Sequence, residues 1–273
     1  MRRLAVTMIL AGLVQSAQAA DMPDLPILRG SLIDGPSTYV NWRGFYAGAQ
    51  GGLGSSDMNF SGTTSAMAAR LMSGTAIESE GQVSTWPVLG KKSQRGDGFG
   101  AFGGYNFQWD DIVIGVEASY MHGDFGGADA DSMGRVFSTS NGYTNDVTYQ
   151  ANAQFKITDM GSVRGRVGWA WNNFLPYAFG GVSLGQADVS KSVTISGTQV
   201  NPAAAPGFQN IPFSVSQTTG QSGRFIYGYA AGLGLDVMLF GNVFVRGEWE
   251  YLKFVGPVDT SINTVRAGLG YRF

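Results

Sequence analysis

The glycines of GFGAFGG, residues 98 to 104, have the spacing of a phosphate-binding loop. Gly98, Gly100 and Gly103 match the G-x-G-x-x-G pattern that places a pyrophosphate at a helix N-terminus in dinucleotide-binding folds. That function needs a helix after the motif, but the following residues alternate between apolar and small or polar side chains with no helical period. We therefore interpret the motif as a β-strand in which Gly98, Gly100 and Gly104 face inward and Gly103 faces outward.

The single histidine, His122, is the residue around which a hydrolytic site could be built. The segment MHGD places it two residues before Asp124, and Ser119 or Ser132 could supply the nucleophile of a triad. The local spacing does not distinguish a triad from chance, so we expect no enzymatic activity. The absence of cysteine excludes thiolate nucleophiles and Cys-based metal sites, and no cofactor is expected.

The composition favours a membrane β-barrel. Only 14% of the residues are charged, against roughly 25% in an ordinary soluble domain. From Trp42 onward the sequence divides into eight segments that alternate with period two, separated on one side by the short turns QWDD, NNFL and FGN. The predicted fold class is all-β: an eight-stranded antiparallel up-and-down transmembrane β-barrel with short periplasmic turns and long external loops.

The N-terminus predicts that the chain is exported. Arg2 and Arg3 precede the apolar stretch LAVTMILAGLV, and Ala17 and Ala19 form an A-x-A cleavage signal. We expect a signal peptide at 1–19, a periplasmic leader at 20–41 and the barrel at 42–273. Without Arg2 and Arg3, Lys plus Arg falls from 18 to 16 against 20 Asp plus Glu, a net charge of about −4, so no basic face for nucleic acid is expected.

The alternation also directs charged side chains into the lumen of the barrel. An unpaired buried ion costs several kcal/mol, so we expect these charges to form ion pairs that plug the lumen. A charged constriction in a small pore is the alternative. The pattern gives no reason for Phe102, which also faces inward. The predicted network consists of Arg164, Arg166, Arg246, Arg266 and Arg272 with Glu117, Asp236, Glu248 and Glu250.

The last strand carries a second signal. Leu269, Tyr271 and Phe273 alternate on its outward face and resemble the C-terminal signal that the barrel assembly machinery reads. A lipid-facing strand with an aromatic residue at the membrane interface has the same pattern. The expected partners are therefore outer-membrane lipid, lipopolysaccharide and the assembly machinery.

Several segments together resemble a known family: WRGFYAGAQGGLG, GFGAFGGYNFQW, IVIGVEASY, GSVRGRVGWA, PYAFGGV and the terminal VRAGLGYRF. They resemble the small surface barrels of rhizobia and Brucella-type alphaproteobacteria, often called the porin family, over nearly all of residues 42–273 outside the long loops. The resemblance implies a major outer-membrane surface antigen linked to envelope integrity and host contact. In some members of this family it also implies binding of haemin.

We therefore predict a structural and surface-interaction protein with a largely plugged lumen. A small porin-like diffusion channel is the first alternative, and binding of haemin or a host ligand by the external loops is the second. Haemin would need an axial Tyr, His or Met ligand. The loops and strand ends offer Tyr143, Tyr149, His122, Met58, Met67, Met72 and Met133.

Overall fold

Eight antiparallel strands close into a barrel in the computed structural model, which describes residues 40–273. Each strand pairs with the next, and β8 pairs with β1, so the predicted fold class is confirmed. The predicted signal peptide with Ala17 and Ala19, and all but the last two residues of the predicted leader, lie outside the described residues. The strands are β1 (Gly44–Asn59), β2 (Lys91–Trp109), β3 (Ile112–Ser138), β4 (Thr144–Trp169), β5 (Phe174–Val200), β6 (Asn210–Phe240), β7 (Val243–Val255) and β8 (Asp259–Arg272).

The outer wall of the barrel carries an apolar band. Outward positions of the alternating segments are exposed although they are apolar, as at Ile114 (57%) and Val167 (53%). Trp109 and Trp169 border this band at the end with the short turns, and Phe225 borders it at the other end. Exposed apolar side chains between two rows of aromatic residues are the surface that a bilayer requires. Within residues 40–273, no helix has the length and apolarity to cross a membrane.

The three short turns contain the residue types that tight turns need. The β2–β3 turn has Asp110 at φ 51°, the β4–β5 turn has Asn172 at φ 51°, and the β6–β7 turn has Gly241 at φ 57°. Asp, Asn and Gly adopt this left-handed conformation at the lowest cost. The turns therefore lie where QWDD, NNFL and FGN predict them, at the periplasmic end.

Much of the sequence expected to form long external loops is β-structure. β3 to β6 contain 27, 26, 27 and 31 residues, far more than a crossing strand needs. Pairing of β2 with β3 ends at Gly98 and Gly123, and pairing of β6 with β7 ends at Tyr227 and Val255. Beyond these points β3 to β6 form a four-stranded sheet. Outside the segment 60–90, the sequence expected in these loops extends the strands, because its Ser, Thr, Asn and Gln residues occupy the solvent face of strands whose inner face is apolar.

The segment 60–90, between β1 and β2, packs against the inner face of this sheet. It contains α1 (Ser65–Leu71), α2 (Ala76–Gly81) and a short 3₁₀ helix, Val83–Thr85. We call this segment and the external sheet of β3 to β6 the external lobe. Its polar contacts include Tyr149 Oη donating to Thr64 Oγ1 at 2.9 Å, and burial raises the pKa of that tyrosine. The buried apolar side chains of the lobe include Phe60, Ile77, Val83, Trp86, Phe125, Val147, Phe155 and Ile157.

Inside the barrel, bulky side chains lie directly opposite glycines of the neighbouring strand. Phe102 of β2 faces Gly48 of β1, and a Cβ atom on that glycine would overlap the phenyl ring. An aromatic ring that covers a glycine across the strands stabilises a curved sheet, which explains the inward Phe102. Four further pairs follow the same rule: Tyr46 with Gly104, Tyr177 with Gly234, Phe179 with Gly232 and Phe244 with Gly270.

Candidate functional site in the barrel lumen

Strand register brings the lumen charges together. Three arginines lie directly opposite an acidic residue of an adjacent strand: Arg164 opposite Glu117, Arg246 opposite Asp236, and Arg266 opposite Glu248. Four of the five predicted arginines also have a glycine directly opposite on one adjacent strand, which leaves room for the guanidinium group. These arginine and glycine pairs are Arg164 with Gly181, Arg166 with Gly115, Arg246 with Gly268, and Arg266 with Gly52.

Glu117 accepts hydrogen bonds from three arginines. Arg164 Nε lies 2.9 Å from Oε1, while Arg166 Nη1 and Arg246 Nη1 lie 3.2 and 2.8 Å from Oε2. Tyr46 Oη donates a further hydrogen bond to Oε2 at 2.7 Å. Glu117 is 1% exposed, so these donors replace the hydration that its carboxylate would have in water.

Asp236 joins two of the same arginines. It accepts from Arg166 Nη2 at 2.8 Å and from Arg246 Nε at 2.8 Å, with a second bond from Arg246 Nη2 at 3.1 Å. The two bonds from Arg246 form the bidentate arrangement that a guanidinium group makes with a carboxylate. Arg166 and Arg246 therefore each bridge Asp236 and Glu117.

The side of the network formed by β4, β7 and β8 contains the other two acids. Arg164 Nη2 lies 2.8 Å from both carboxylate oxygens of Glu248, and its Nη1 lies 3.1 Å from Glu250 Oε1. Arg266 forms an ion pair with Glu250. Four arginines and four acidic residues thus form one buried and electrically balanced cluster, which we call the lumen network.

Arg272 is the predicted lumen residue that the structure places elsewhere. It lies at the periplasmic end of β8, opposite Tyr46, and its Nη2 donates to Asn242 Oδ1 in the β6–β7 turn at 2.7 Å. Its inclusion in the network was wrong because alternation predicts the face of a strand but not the height along the barrel. Without Arg272, the five predicted positive charges fall to four and equal the four negative ones.

Aromatic side chains enclose the guanidinium groups and were not predicted as site residues. The Cζ atoms of Arg246, Arg164 and Arg166 lie 3.9, 4.0 and 4.1 Å from the ring centres of Phe102, Phe179 and Tyr177. Tyr177 Oη also donates to Glu248 Oε1 at 2.6 Å. Cation–π contacts of this kind are stronger where water is excluded. Alternation places Phe102 inward and gives the same face to Tyr177 and Phe179. The cation–π role of these rings could have been inferred from the arginines on the neighbouring strands.

The residues considered for a hydrolytic triad are not assembled. His122 is exposed on the outer face of β3, where its Nδ1 lies 2.9 Å from Asp159 Oδ1. Ser119 faces the lumen and accepts a hydrogen bond from Gln50 Nε2 at 2.9 Å, while Asp124 pairs with Lys156. Ser132 lies opposite Gln150 in the external sheet, far along β3. The triad hypothesis fails because the candidate side chains lie on opposite faces or at different heights of one strand.

Most of the residues considered as haemin ligands have other contacts. Met58, Met72 and Tyr149 are buried in the external lobe, and Met67 and Met133 pack against the same apolar cluster. Tyr143 Oη donates to the Phe208 carbonyl at 3.2 Å. Among the described residues, no group of three or more His, Asp or Glu side chains is placed to hold a metal ion.

The three C-terminal signal residues lie on the outer wall. Leu269, Tyr271 and Phe273 are exposed, and the rings of the last two are in edge-to-face contact. The Phe273 amide donates to the Phe45 carbonyl at 2.8 Å, which ties the end of the chain to β1. The strand that carries this pattern therefore also closes the barrel.

Comparison with known proteins gives relatives in two alphaproteobacterial genera. The chain is 28% identical over 174 residues to the 25 kDa outer-membrane immunogenic protein of Brucella ovis, covering 64% of this chain and 62% of the relative. It is 26% identical over 188 residues to the 22 kDa outer membrane protein of Rhizobium leguminosarum bv. viciae, covering 64% and 67% of the two chains. The match thus spans less than two thirds of the length of the Brucella ovis relative.

Two solved structures are similar at low identity. Ail, the attachment invasion locus protein of Yersinia pestis, is 17% identical with a TM-score of 0.37, over 85% of this chain and 99% of Ail. Neisserial surface protein A is 12% identical with a TM-score of 0.39, over 84% and 97% of the two chains. The model of the outer membrane protein beta-barrel domain family matches residues 7–273. The protein therefore belongs to this family and is an outer-membrane β-barrel with surface-antigen relatives.

Proposed function

We propose that this protein is a structural and surface-interaction barrel of the outer membrane whose lumen does not conduct ions. The observation that carries the proposal is the lumen network, in which four arginines and four acids are 0 to 4% exposed. Eight barrel strands enclose a space that side chains alone can fill. The network and its aromatic neighbours supply those side chains.

The contacts of the network also oppose an open water path. Moving an arginine aside would break two or more charged hydrogen bonds and remove one partner of a buried carboxylate, a cost of about 3 to 5 kcal/mol. On the periplasmic side of the network, Trp42 and Phe244 are in edge-to-face contact, with 6.2 Å between their ring centres. On the external side, the external lobe has an apolar core. We expect the closed arrangement to persist in the bilayer.

Single-channel recording distinguishes this function from the diffusion channel. The mature protein is refolded, its folding is verified by heat-modifiable migration on a gel, and it is inserted into a planar bilayer at two salt concentrations. We expect no discrete steps from the folded protein. Reproducible steps that change in Glu248→Gln but not in the rim variant Arg272→Gln would overturn the closed lumen and support a small porin-like channel.

The surface role rests on the external lobe. Its polar outer face projects beyond the apolar band, and the Brucella ovis relative is named as immunogenic. We propose that the lobe makes contacts outside the cell and that the barrel contributes to envelope integrity, with lipopolysaccharide around it.

The integrity role can be tested with a strain that lacks the protein. This strain should become more sensitive to detergent and should recover with the wild-type gene. Equal sensitivity of the deletion strain and its parent would contradict the integrity role.

The C-terminal residues support a proposed contact with the barrel assembly machinery. We expect Phe273→Ala to lower the amount of folded barrel in cells while refolding into detergent in vitro is unchanged. The matched control is Phe240→Ala, which removes an exposed aromatic side chain at the same end of the barrel. Equal losses in cells for the two variants would indicate that the phenyl ring acts only through the lipid interface.

A further inference from the structure

A cavity of about 660 Å³ lies at the base of the external lobe, beside the opening between β6 and β7. The two strands stop pairing at Tyr227 and Val255, so β6 continues outward with β5 as its paired neighbour. Pro257, in the β7–β8 turn, lines one side of the cavity, and Thr63 from the segment 60–90 lines another. The cavity is therefore a lateral recess in the wall of the protein.

Two cationic side chains line this recess. Lys191 of β5 donates from Nζ to the Thr63 carbonyl at 3.1 Å, and Arg224 of β6 donates from Nη1 to Gln221 Oε1 at 2.9 Å. Neither belongs to the ion pairs formed within residues 40–273, and the described lining residues contain no Asp or Glu. Asp188, close in sequence, accepts from the Gly223 amide at 2.8 Å. The positive charge of the recess is therefore not balanced by a carboxylate of its wall.

The electrostatics of Lys191 are consistent with this imbalance. Burial and the neighbouring Arg224 guanidinium lower the pKa of the Lys191 ammonium group. Two cations that share a cavity repel each other, and a bound anion would relieve that repulsion.

The height of the recess indicates where an anion would come from. Arg224 directly precedes Phe225, which is 78% exposed on the lipid-facing wall. The recess thus begins where the apolar band ends, at the level of lipid headgroups on the external side. Thr218, Thr219 and Gln221 add neutral polar groups to its lining, which suits a ligand with hydroxyl groups as well as charge.

We propose that this recess binds a phosphate group carried by the sugar headgroup of an outer-leaflet glycolipid. The Arg224 guanidinium offers a planar fork of N–H donors to phosphate, and the Lys191 ammonium offers a compact positive charge. The neutral side chains of the recess contact the sugar. The site goes beyond the closed lumen and does not depend on it, because the recess lies outside the lumen network.

The test measures binding of lipid A to the folded barrel in phosphatidylcholine nanodiscs. The probes are bisphosphorylated lipid A, the same lipid after removal of its phosphates, and inorganic phosphate alone. The variants are Lys191→Gln/Arg224→Gln and the matched control Lys156→Gln, whose lysine pairs with Asp124 at 2.8 Å on the external part of β4. Single-channel recording of the double variant distinguishes failure of this proposal from failure of the closed lumen. We expect no conductance steps from the double variant.

We expect the double variant to bind bisphosphorylated lipid A at least about tenfold more weakly, the loss expected for removal of a charged hydrogen bond. The control variant should bind like the wild type, and the dephosphorylated lipid should bind wild type and double variant equally weakly. If inorganic phosphate binds as tightly as the lipid, the recess is an anion site, but its ligand is a phosphate from solution and not a glycolipid. Equal lipid A affinity of wild type and double variant would overturn the proposal.

Discussion

Replacing Glu117 by Gln tests the lumen network at its most connected residue. The carboxylate accepts from Arg164, Arg166 and Arg246 and from Tyr46 Oη at 2.7 to 3.2 Å. A carboxamide has one acceptor oxygen, and its NH₂ group would point hydrogens at a guanidinium group. The variant also leaves four positive charges with three negative ones. Removing one partner of a buried ion pair costs about 3 to 5 kcal/mol, and we expect a loss of that size.

The free energy of unfolding can be measured by guanidinium titration of the barrel in phospholipid vesicles, followed by tryptophan fluorescence and gel migration. The control Arg272→Gln removes a charge at the rim and should cost less than about 0.5 kcal/mol, as exposed substitutions usually do. The double variant Glu117→Gln/Arg166→Gln restores charge balance and should lose at least about 1 kcal/mol less than the sum of the single variants. A Glu117→Gln loss as small as the control's, or a strictly additive double variant, would refute the reasoning.

The remaining predictions concern the outer wall, the lobe and the glycines. Val167→Arg should cost about 2 to 4 kcal/mol because it places a charge within the apolar band. Val136 is also exposed but lies on the external part of β3, so Val136→Arg should be nearly neutral in the same vesicle assay. Phe155→Ala should destabilise the external lobe by about 3 to 5 kcal/mol. Protease should then cut the segment 60–90, while heat-modifiable migration of the barrel persists. Protease resistance equal to that of the wild type would contradict an apolar core shared by this segment and the external sheet. Gly270→Ala should cost about 1 to 3 kcal/mol by overpacking against the Phe244 ring, and Phe244→Leu should recover part of that loss. The control Gly247→Ala, whose added Cβ has no neighbour within 4 Å, should leave the unfolding midpoint unchanged.

Period-two alternation was sufficient to predict the barrel, its turns and the faces of its strands. Within GSVRGRVGW, residues 161–169, alternation predicts Val163, Val167 and Trp169 outward and Arg164 and Arg166 inward, as the structure has them. The same rule applies wherever a strand separates lipid from the lumen, because each face then accepts one class of side chain. This regularity is local and can be read from a single sequence.

The properties that were not predicted depend on register and on distant segments. Arg272 faces inward as expected, but its height on β8 places it beside Asn242 rather than Glu250. The external sheet was missed although Val147, Tyr149, Ala151, Ala153, Phe155 and Ile157 alternate within TNDVTYQANAQFKI. Their apolar face is satisfied by the segment 60–90, which lies far away in sequence and carries no strand pattern. Pairing across such a separation is not visible in the alternation of either segment alone.

The glycines opposite the inward aromatic rings have a consequence for the evolution of such barrels. Glycine is tolerated at positions 104 and 234 because the tyrosine ring of a neighbouring strand occupies the space that a larger residue's side chain would fill. Loss of the ring would remove the constraint on the glycine, so the two positions should change together across related sequences. A relative that widened its lumen would be free to replace both, whereas one that kept it filled would retain both. In exported, charge-poor chains, a glycine-rich motif such as GFGAFGG would then indicate the inward positions whose space is filled from a neighbouring strand.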